Sequence, residues 1–497
     1  MNAALQHLAN FPKRWSHHVD PGTAAILLVF LVYFWFFTTL NLYRPLFQTI
    51  HANDPVGYYS WIHSMLFDGD LDFENEYREL NKYITPGAAQ WANPNSPRTA
   101  TGHLSNCFAI GPGLLWSPFI LLAHPLAPDL GGKPDGFSQP YHMAVFLAIS
   151  LYGLFGLLLT YFFLRTWFSS GLSVITALCA WAASPALYYT YPEFAMSHST
   201  SFFTTALFLF TWARLRQENT LLRWFLIGLA LGLAALVRWQ NILFAIIPAI
   251  DLLTTPSRKN ALNLSICAAG SLLAFIPQMI GWKIIFGKFF TVPQGPDFVQ
   301  WTHPDFLAAL FSLKFGLITW TPLCGIALLG FFWTPKEHRK IYGALAAAFL
   351  LQVYINACAL NLGWAFGMRR MSDCVPIFAL GLALLLARLG RFKFLGIAVA
   401  ALFVAWNTLF VLQYAGFIDT IYIQRATNEL VQQHGLNPET LSEITTLPDG
   451  QPFNYYAFVY QHVFPRGASL SFQQFVPDKF LVLWMLATHF FGCPPPT

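Results

Sequence analysis

The stretch Phe108-Ala-Ile-Gly-Pro-Gly-Leu-Leu-Trp-Ser-Pro-Phe-Ile-Leu-Leu-Ala-His-Pro-Leu126 decides the topology of this chain. It is apolar enough to be taken for a membrane span. Gly111, Pro112, Gly113, Pro118 and His124 make it a poor one, because an internal proline removes a helical hydrogen bond and glycine costs about 1 kcal/mol against alanine. Counting it as a crossing would also put Arg214, Arg216 and Arg223 on the outer side. It is therefore expected to lie at the membrane surface, inside a long polar outer loop covering 44–140.

The rest of the chain follows from composition. Of 497 residues 56% are hydrophobic, 17% aromatic and 10% charged, whereas a soluble domain is about 25% charged. The apolar residues fall in runs of about 20, the length of helix that crosses a hydrocarbon core of about 30 Å. Alternating strands of a barrel are absent, and 17 Trp, 19 Tyr and 49 Phe exclude a disordered chain. The expected fold is an all-α polytopic membrane protein with about eleven spans, near 21–43, 141–164, 171–191, 198–213, 224–237, 240–255, 261–285, 307–333, 341–360, 374–388 and 394–415.

Charge placement orients it. With these spans one side collects fourteen bases against four acids, a net +10, and leaves −5 on the other, the asymmetry of the positive-inside rule. The N-terminus, with Lys13 and Arg14 before the first run, reads as cytoplasmic and that run as a retained signal anchor. Residues 1–415 form the expected transmembrane unit, and 416–497 an outer-face segment ending in a short apolar helix at Phe480 to Phe491. A formal charge of +5 spread over a membrane chain gives no reason to expect nucleic acid, and seven scattered cysteines have no metal-ligand spacing.

Chemistry is sought where the outer loops meet the interface. Asp54 lies a few residues past the first span, at the depth where a base for lipid-linked chemistry belongs; Pro55 beside it offers the plainer role of a helix cap. Tyr58, Asp68 and Asp70 follow, the acids in a stretch from Asp68 to Glu79 that reads as a solvated turn and helix start. Glu193 and His198 flank an aromatic turn in the second outer loop, where Ser197 suits a helix cap. Arg238 sits in otherwise continuous membrane sequence, at a cost of ~2.5 to 3.5 kcal/mol on insertion scales, so either an anionic partner or snorkelling beside Trp239 is required. The adjacent Arg369 and Arg370 run against the charge rule on the outer face; guanidinium forks grip phosphate, and Asp373 is the structural alternative as partner for one of them. Lys314, about two turns inside its span, is a further cation of this kind. No phosphate-binding loop, dinucleotide fingerprint or zinc-protease helix occurs.

An Asp past the first span, the aromatic helix with Tyr58, Tyr59 and Trp61, Asp68-Gly-Asp70, and the Gly/Pro-rich surface helix from Gly111 to Pro118 resemble, in order and topology over about 20–390, the GT-C superfamily. These are polytopic glycosyltransferases using polyprenyl-phosphate-linked sugars, such as protein O-mannosyltransferases and lipid A aminoarabinose transferase. The resemblance implies a first-loop catalytic Asp54, an acidic position, here Glu193, facing it, and a donor phosphate held by Arg238, Arg369, Arg370 and Lys314. It also implies a glycan, lipid or protein acceptor, and an active site on the periplasmic face of a bacterial inner membrane. The superfamily often has Glu after the catalytic Asp; this chain has Pro55. No dense carboxylate cluster surrounds Asp54, so neither metal nor other cofactor is expected. A lipid or solute transporter, or an envelope scaffold, would be the alternative. Convergence of Asp54, Glu193, Arg238 and Arg369 on one pocket discriminates between them.

Overall fold

The structure is a computed structural model that describes residues 20–43, 50, 53–81, 91–218, 220–312, 314–359, 365–415, 429–437, 441 and 444–453, without the side chains of 41–43. The expectations for Lys13 and Arg14, for the helix at Phe480 to Phe491 and for most of 416–497 lie outside these residues.

The described residues are helical, with no β-strand and one isolated bridge between Thr446 and Pro452. The protein is an all-α polytopic membrane protein. Among the described residues six helical stretches are long and apolar enough to cross a membrane: Pro21–Leu40, Gln139–Leu164, Arg258–Phe286, Lys336–Cys358, Arg369–Arg388 and Gly390–Tyr414. The other five expected spans are shorter or less apolar: 171–191 is broken at Ser184-Pro185 and 307–333 at Ser312 and Thr321-Pro322, Arg238 parts 224–237 from 240–255, and His198–Leu215 is one helix of 18 residues.

In chain order the elements that place the site are α1 (Pro21–Tyr43), α2 (Asn53–His63), α3 (Glu74–Asn81), α4 (Gly111–Leu126), α5 (Gln139–Leu164), α6 (Ser170–Ala182), α7 (Pro185–Thr190), α8 (His198–Leu215), α9 (Leu221–Val237), α10 (Ile246–Leu253) and α11 (Arg258–Phe286). They continue with α12 (Phe306–Phe311), α13 (Leu317–Trp320), α14 (Pro322–Leu328), α15 (Arg339–Cys358), α16 (Val375–Arg388) and α17 (Lys393–Tyr414). The outer faces of α1 and α17 are apolar and exposed, with Leu28 at 63%, Trp35 at 59%, Phe394 at 71% and Leu402 at 71%, the surface that a lipid environment requires.

Helices α9 and α11 meet backbone to backbone. A Cβ on Gly228 would stand 2.0 Å from the Cys267 carbonyl and one on Gly232 2.2 Å from that of Ser271. The Ser271 hydroxyl donates across this contact to the Gly228 carbonyl at 2.9 Å. Small residues are the means of close helix packing in membranes, where apolar burial gives no drive between helices.

The described part of the long polar loop after α1 folds into α2, a π-helical turn at Ser64–Asp68, α3 and α4. The 16 residues of α4 span about 24 Å, short of a bilayer core, with Leu121, Leu122 and Leu126 exposed and Trp116 buried. Trp116 donates from Nε1 to Thr200 Oγ1 at 3.0 Å, tying this helix to α8. Its start is pressed against the end of α9: a Cβ on Gly111 would lie 2.4 Å from the Leu236 carbonyl oxygen.

Candidate functional site

Asp54 occupies the first turn of α2. That helix is held by its neighbours: the Asn53 amide oxygen accepts from the Trp91 backbone N–H at 2.7 Å, Asn106 Nδ2 donates to the Gly57 carbonyl at 2.8 Å and Trp61 Nε1 to that of Phe108 at 3.0 Å. The Asp54 carboxylate is turned away from a purely capping role, with Oδ2 3.2 Å from Arg369 Nη2.

Arg238 stands at the break between α9 and the 3₁₀ turn Trp239–Ala245, its backbone extended at φ −148°, ψ 111°. The break brings a buried guanidinium to the site instead of to a lipid face. Arg238 Nε lies 3.5 Å from Asp373 Oδ2, and Nη1 donates to Ser197 Oγ at 3.2 Å and to His198 Nδ1 at 3.0 Å. Because an arginine only donates, His198 Nδ1 accepts and its other nitrogen carries the proton. With its amide oriented to present the oxygen, Gln240 also accepts from Nη2 at 2.8 Å and Nε at 2.7 Å. Ser197, expected as a helix cap, makes no capping bond; its hydroxyl donates to the Tyr58 hydroxyl at 3.0 Å, joining the two outer loops.

Arg369 and Arg370 lie on a 3₁₀ turn, Arg369–Cys374, that leads into α16, after Gly367 at φ +59°. The turn aims successive side chains differently. Arg369 faces Asp54, whereas Arg370 donates from Nη1 to the Ala359 carbonyl and lies 5.9 Å from the centre of the Phe298 ring. Asp373, the expected structural partner of one of this pair, pairs with Arg238 instead. The reason is the tight turn, which sends residue 373 toward α8 and α9, away from 369 and 370.

Asp54, Tyr58, Arg238, Arg369 and Arg370 line one cleft with a cavity volume of about 110 Å³. Asp54 is the one acid among its lining residues. Arg370 has no ion-pair partner among the described residues, so the cleft carries an excess of positive charge.

The remaining candidates fall elsewhere. Glu193 does not line the cleft; it lies in the turn before α8, where burial pushes its carboxyl up to about 7 while Arg369 draws it down and Asp54 pushes it up. His198 is buried, supports Arg238 and packs on Tyr189, ring centres 4.5 Å apart. Lys314 lies in an exposed turn between α12 and α13, not two turns inside a span, because the chain leaves the helix at Ser312, whose hydroxyl accepts from the Lys314 backbone N–H at 3.0 Å. Asp68 and Asp70 are exposed and off the cleft, as a solvated turn requires, yet Glu76 in the same acidic stretch is fully buried. The cleft walls Trp91, Cys107, Gln240, Gln294 and Phe298 were not singled out beforehand, since four lie far in sequence from any charged motif. Only Gln240, two residues after Arg238, carried a local signal.

Fold and cleft together define a polytopic helical membrane protein with a cleft lined by three arginines and one carboxylate. Among solved structures there is a likeness to the apo oligosaccharyltransferase of Archaeoglobus fulgidus, with 14% identity and a TM-score of 0.42, covering 92% of this chain and 64% of that one. The match thus spans less than two thirds of that protein's length. No protein-family model and no curated protein matches the chain.

Proposed function

We propose that this chain is a membrane glycosyltransferase of the GT-C type that moves a sugar from a polyprenyl-phosphate carrier to an acceptor hydroxyl on a glycan, lipid or protein at the outer face of a bacterial inner membrane. The observation that carries this reading is the convergence of Asp54 with Arg238, Arg369 and Arg370 on one cleft. A transporter needs membrane-depth charge too, but has no need of a lone carboxylate opposite three guanidinium groups.

The chemistry follows from the charges. Asp54 takes the proton of the acceptor hydroxyl. The acceptor oxygen attacks the anomeric carbon as the bond from that carbon to the phosphate oxygen breaks, and the electron pair leaves with the lipid phosphate. Fixed cations stabilise the developing charge without reorganising, the largest effect such a site offers. A single in-line displacement inverts the anomeric centre. Arg238, held by Asp373, Gln240, Ser197 and His198, is the preset element. Arg370, held by the Ala359 carbonyl but by no carboxylate among the described residues, offers its remaining N–H groups to the phosphate, and Arg369 passes to it from Asp54. Glu193 acts through Arg369, as a positioning residue. With one acid on the cleft wall, the step is proposed to run without a metal at the reacting atoms.

The test is to incubate the purified protein with a panel of polyprenyl-phosphate sugars and follow sugar release or transfer. Turnover with one donor supports the reading; binding of every donor without turnover, in the presence of candidate acceptors, overturns it in favour of transport.

A further inference from the structure

A second cluster lies at the far end of the helix that carries Asp54. His63 ends α2, Asp68 ends the π-helical turn that follows, and Glu76 sits in the first turn of α3. His63 Nδ1 is 2.9 Å from Glu76 Oε1 and 3.2 Å from Asp68 Oδ2, and one ligand atom from each of the three residues lies within 4.8 Å of the other two.

The histidine's hydrogen bonding fixes what faces the acids. Its Nε2 lies 3.0 Å from the Asp135 carbonyl oxygen, which only accepts, so Nε2 carries a proton. In the neutral ring Nδ1 is then a bare lone pair against two carboxylate oxygens. Either a proton, on the ring or on Glu76, or a cation must stand between them. A second proton on the ring would serve Glu76 Oε1, but it leaves Oε2 of this fully buried side chain with no hydrogen-bond partner. A cation bound by the carboxylate uses both oxygens.

We infer that His63, Asp68 and Glu76 hold a divalent transition-metal ion that staples the first outer loop. Metal–nitrogen and metal–oxygen bonds of about 2.0 to 2.2 Å place neighbouring ligand atoms about 3.0 to 3.5 Å apart, close to the 2.9 and 3.2 Å separations. The surroundings have the features of a prepared site. A ligating histidine usually donates its other N–H to a carbonyl or carboxylate, as His63 does to Asp135. The ring is clamped between Phe67 and Phe137, with centres 4.8 and 3.9 Å away. Asn75 Nδ2 donates to Asp68 Oδ2 at 3.0 Å. The Asp68 side chain is 29% exposed, giving the ion a path from water and room for a water ligand. Imidazole with two carboxylates suits zinc or a neighbouring metal over calcium or magnesium.

The ion's role is structural. His63 and Asp54 are nine residues apart on one helix, about 13 Å along its axis, so a metal here touches no reacting atom of the proposed transfer. It fixes the far end of the element that presents Asp54, and the inference stands whatever that transfer proves to be.

The test uses the full-length protein in detergent, stripped with chelator and titrated with Zn²⁺. One equivalent should survive desalting, the melting temperature should rise with Zn²⁺, and Co²⁺ in its place should give visible absorption. Asp68→Asn alters an exposed side chain, so it should fold, lose at least tenfold in Zn²⁺ affinity and lose most of the metal-dependent rise in melting; Glu76→Gln should do the same. No retained metal, with equal melting in chelator and in Zn²⁺, overturns the inference and leaves an imidazolium between two acids. Undiminished binding in both variants also overturns it, by placing the ion elsewhere.

Discussion

Arg369 reaches across from the turn before α16 to Asp54 at the start of α2, 3.2 Å between Nη2 and Oδ2, and so joins two elements more than 300 residues apart in the chain. The pair sets a carboxylate against a guanidinium at the mouth of a membrane cavity. It also means that the candidate base and one candidate phosphate ligand are presented as a unit.

Asp54→Asn is nearly isosteric and keeps a hydrogen-bond acceptor for Arg369. Loss of a general base costs ~10²- to 10⁴-fold in rate, so turnover should collapse while melting temperature and donor binding change little. Wild-type turnover in the purified variant would remove Asp54 from the mechanism.

Arg370 and Arg238 should separate on replacement by lysine, which keeps charge and loses the planar fork. At Arg370, with no carboxylate partner among the described residues, donor affinity should fall by roughly one to two decades, from a lost charge-assisted hydrogen bond of about 1.5 to 3 kcal/mol, with melting hardly altered. At Arg238, which serves Asp373, Gln240, Ser197 and His198, both should fall. Titration with a polyprenyl-phosphate analogue beside thermal unfolding reads the difference. Unchanged affinity in both variants would end the phosphate-binding role.

Glu193 gives a pH signature. Its carboxyl is raised from 4.5 to about 7 in the folded protein, so between these values the folded state holds the proton that the unfolded state has lost. The stability this contributes is fully present below 4.5 and lost as pH rises through 7. Glu193→Gln removes that loss, and the variant's melting temperature relative to wild type should climb between pH 5 and pH 8. A constant difference would contradict the burial of this side chain.

Gly111→Ala tests the seam between α4 and α9. The added methyl meets the Leu236 carbonyl two residues before Arg238, and overpacking of this sort costs ~1 to 3 kcal/mol. Melting temperature and donor affinity should drop together. Gly171→Ala, where a Cβ meets nothing within 4 Å, is the control and should leave both unchanged.

Topology is checked by single cysteines at Asp129 and Asp135, just beyond α4. Both should label from the outer side with a membrane-impermeant reagent. Labelling from the cytoplasm alone would make α4 a span and reverse the assignment of every later loop.

The helical fold and the residues around the cleft were legible because their signals are local. Runs of apolar residues set the helices, and Arg238, Arg369 and Arg370 stand out against the cost of charge in a membrane. Partnership was not legible. Asp373 lies three residues from Arg370 but serves Arg238, since a 3₁₀ turn rotates side chains differently from an α-helix. Lys314 was misplaced because apolar composition continues through the bend at Ser312. Glu76 looked like one more solvated acid in Asp68 to Glu79, since nothing in the local sequence shows that it is buried against His63.

The cleft's unequal charges bear on the pace of a catalytic cycle. Arg238 and Arg369 each have a carboxylate to return to and Arg370 has none among the described residues, so in the proposed cycle a bound anion would offset a charge that the cleft wall leaves unbalanced. A spent carrier lipid, its phosphate bared by loss of the sugar, is a better anion than the loaded one. Such an enzyme would be slowed by its own product, and removal of the used carrier along the membrane, not bond breaking, would set its turnover.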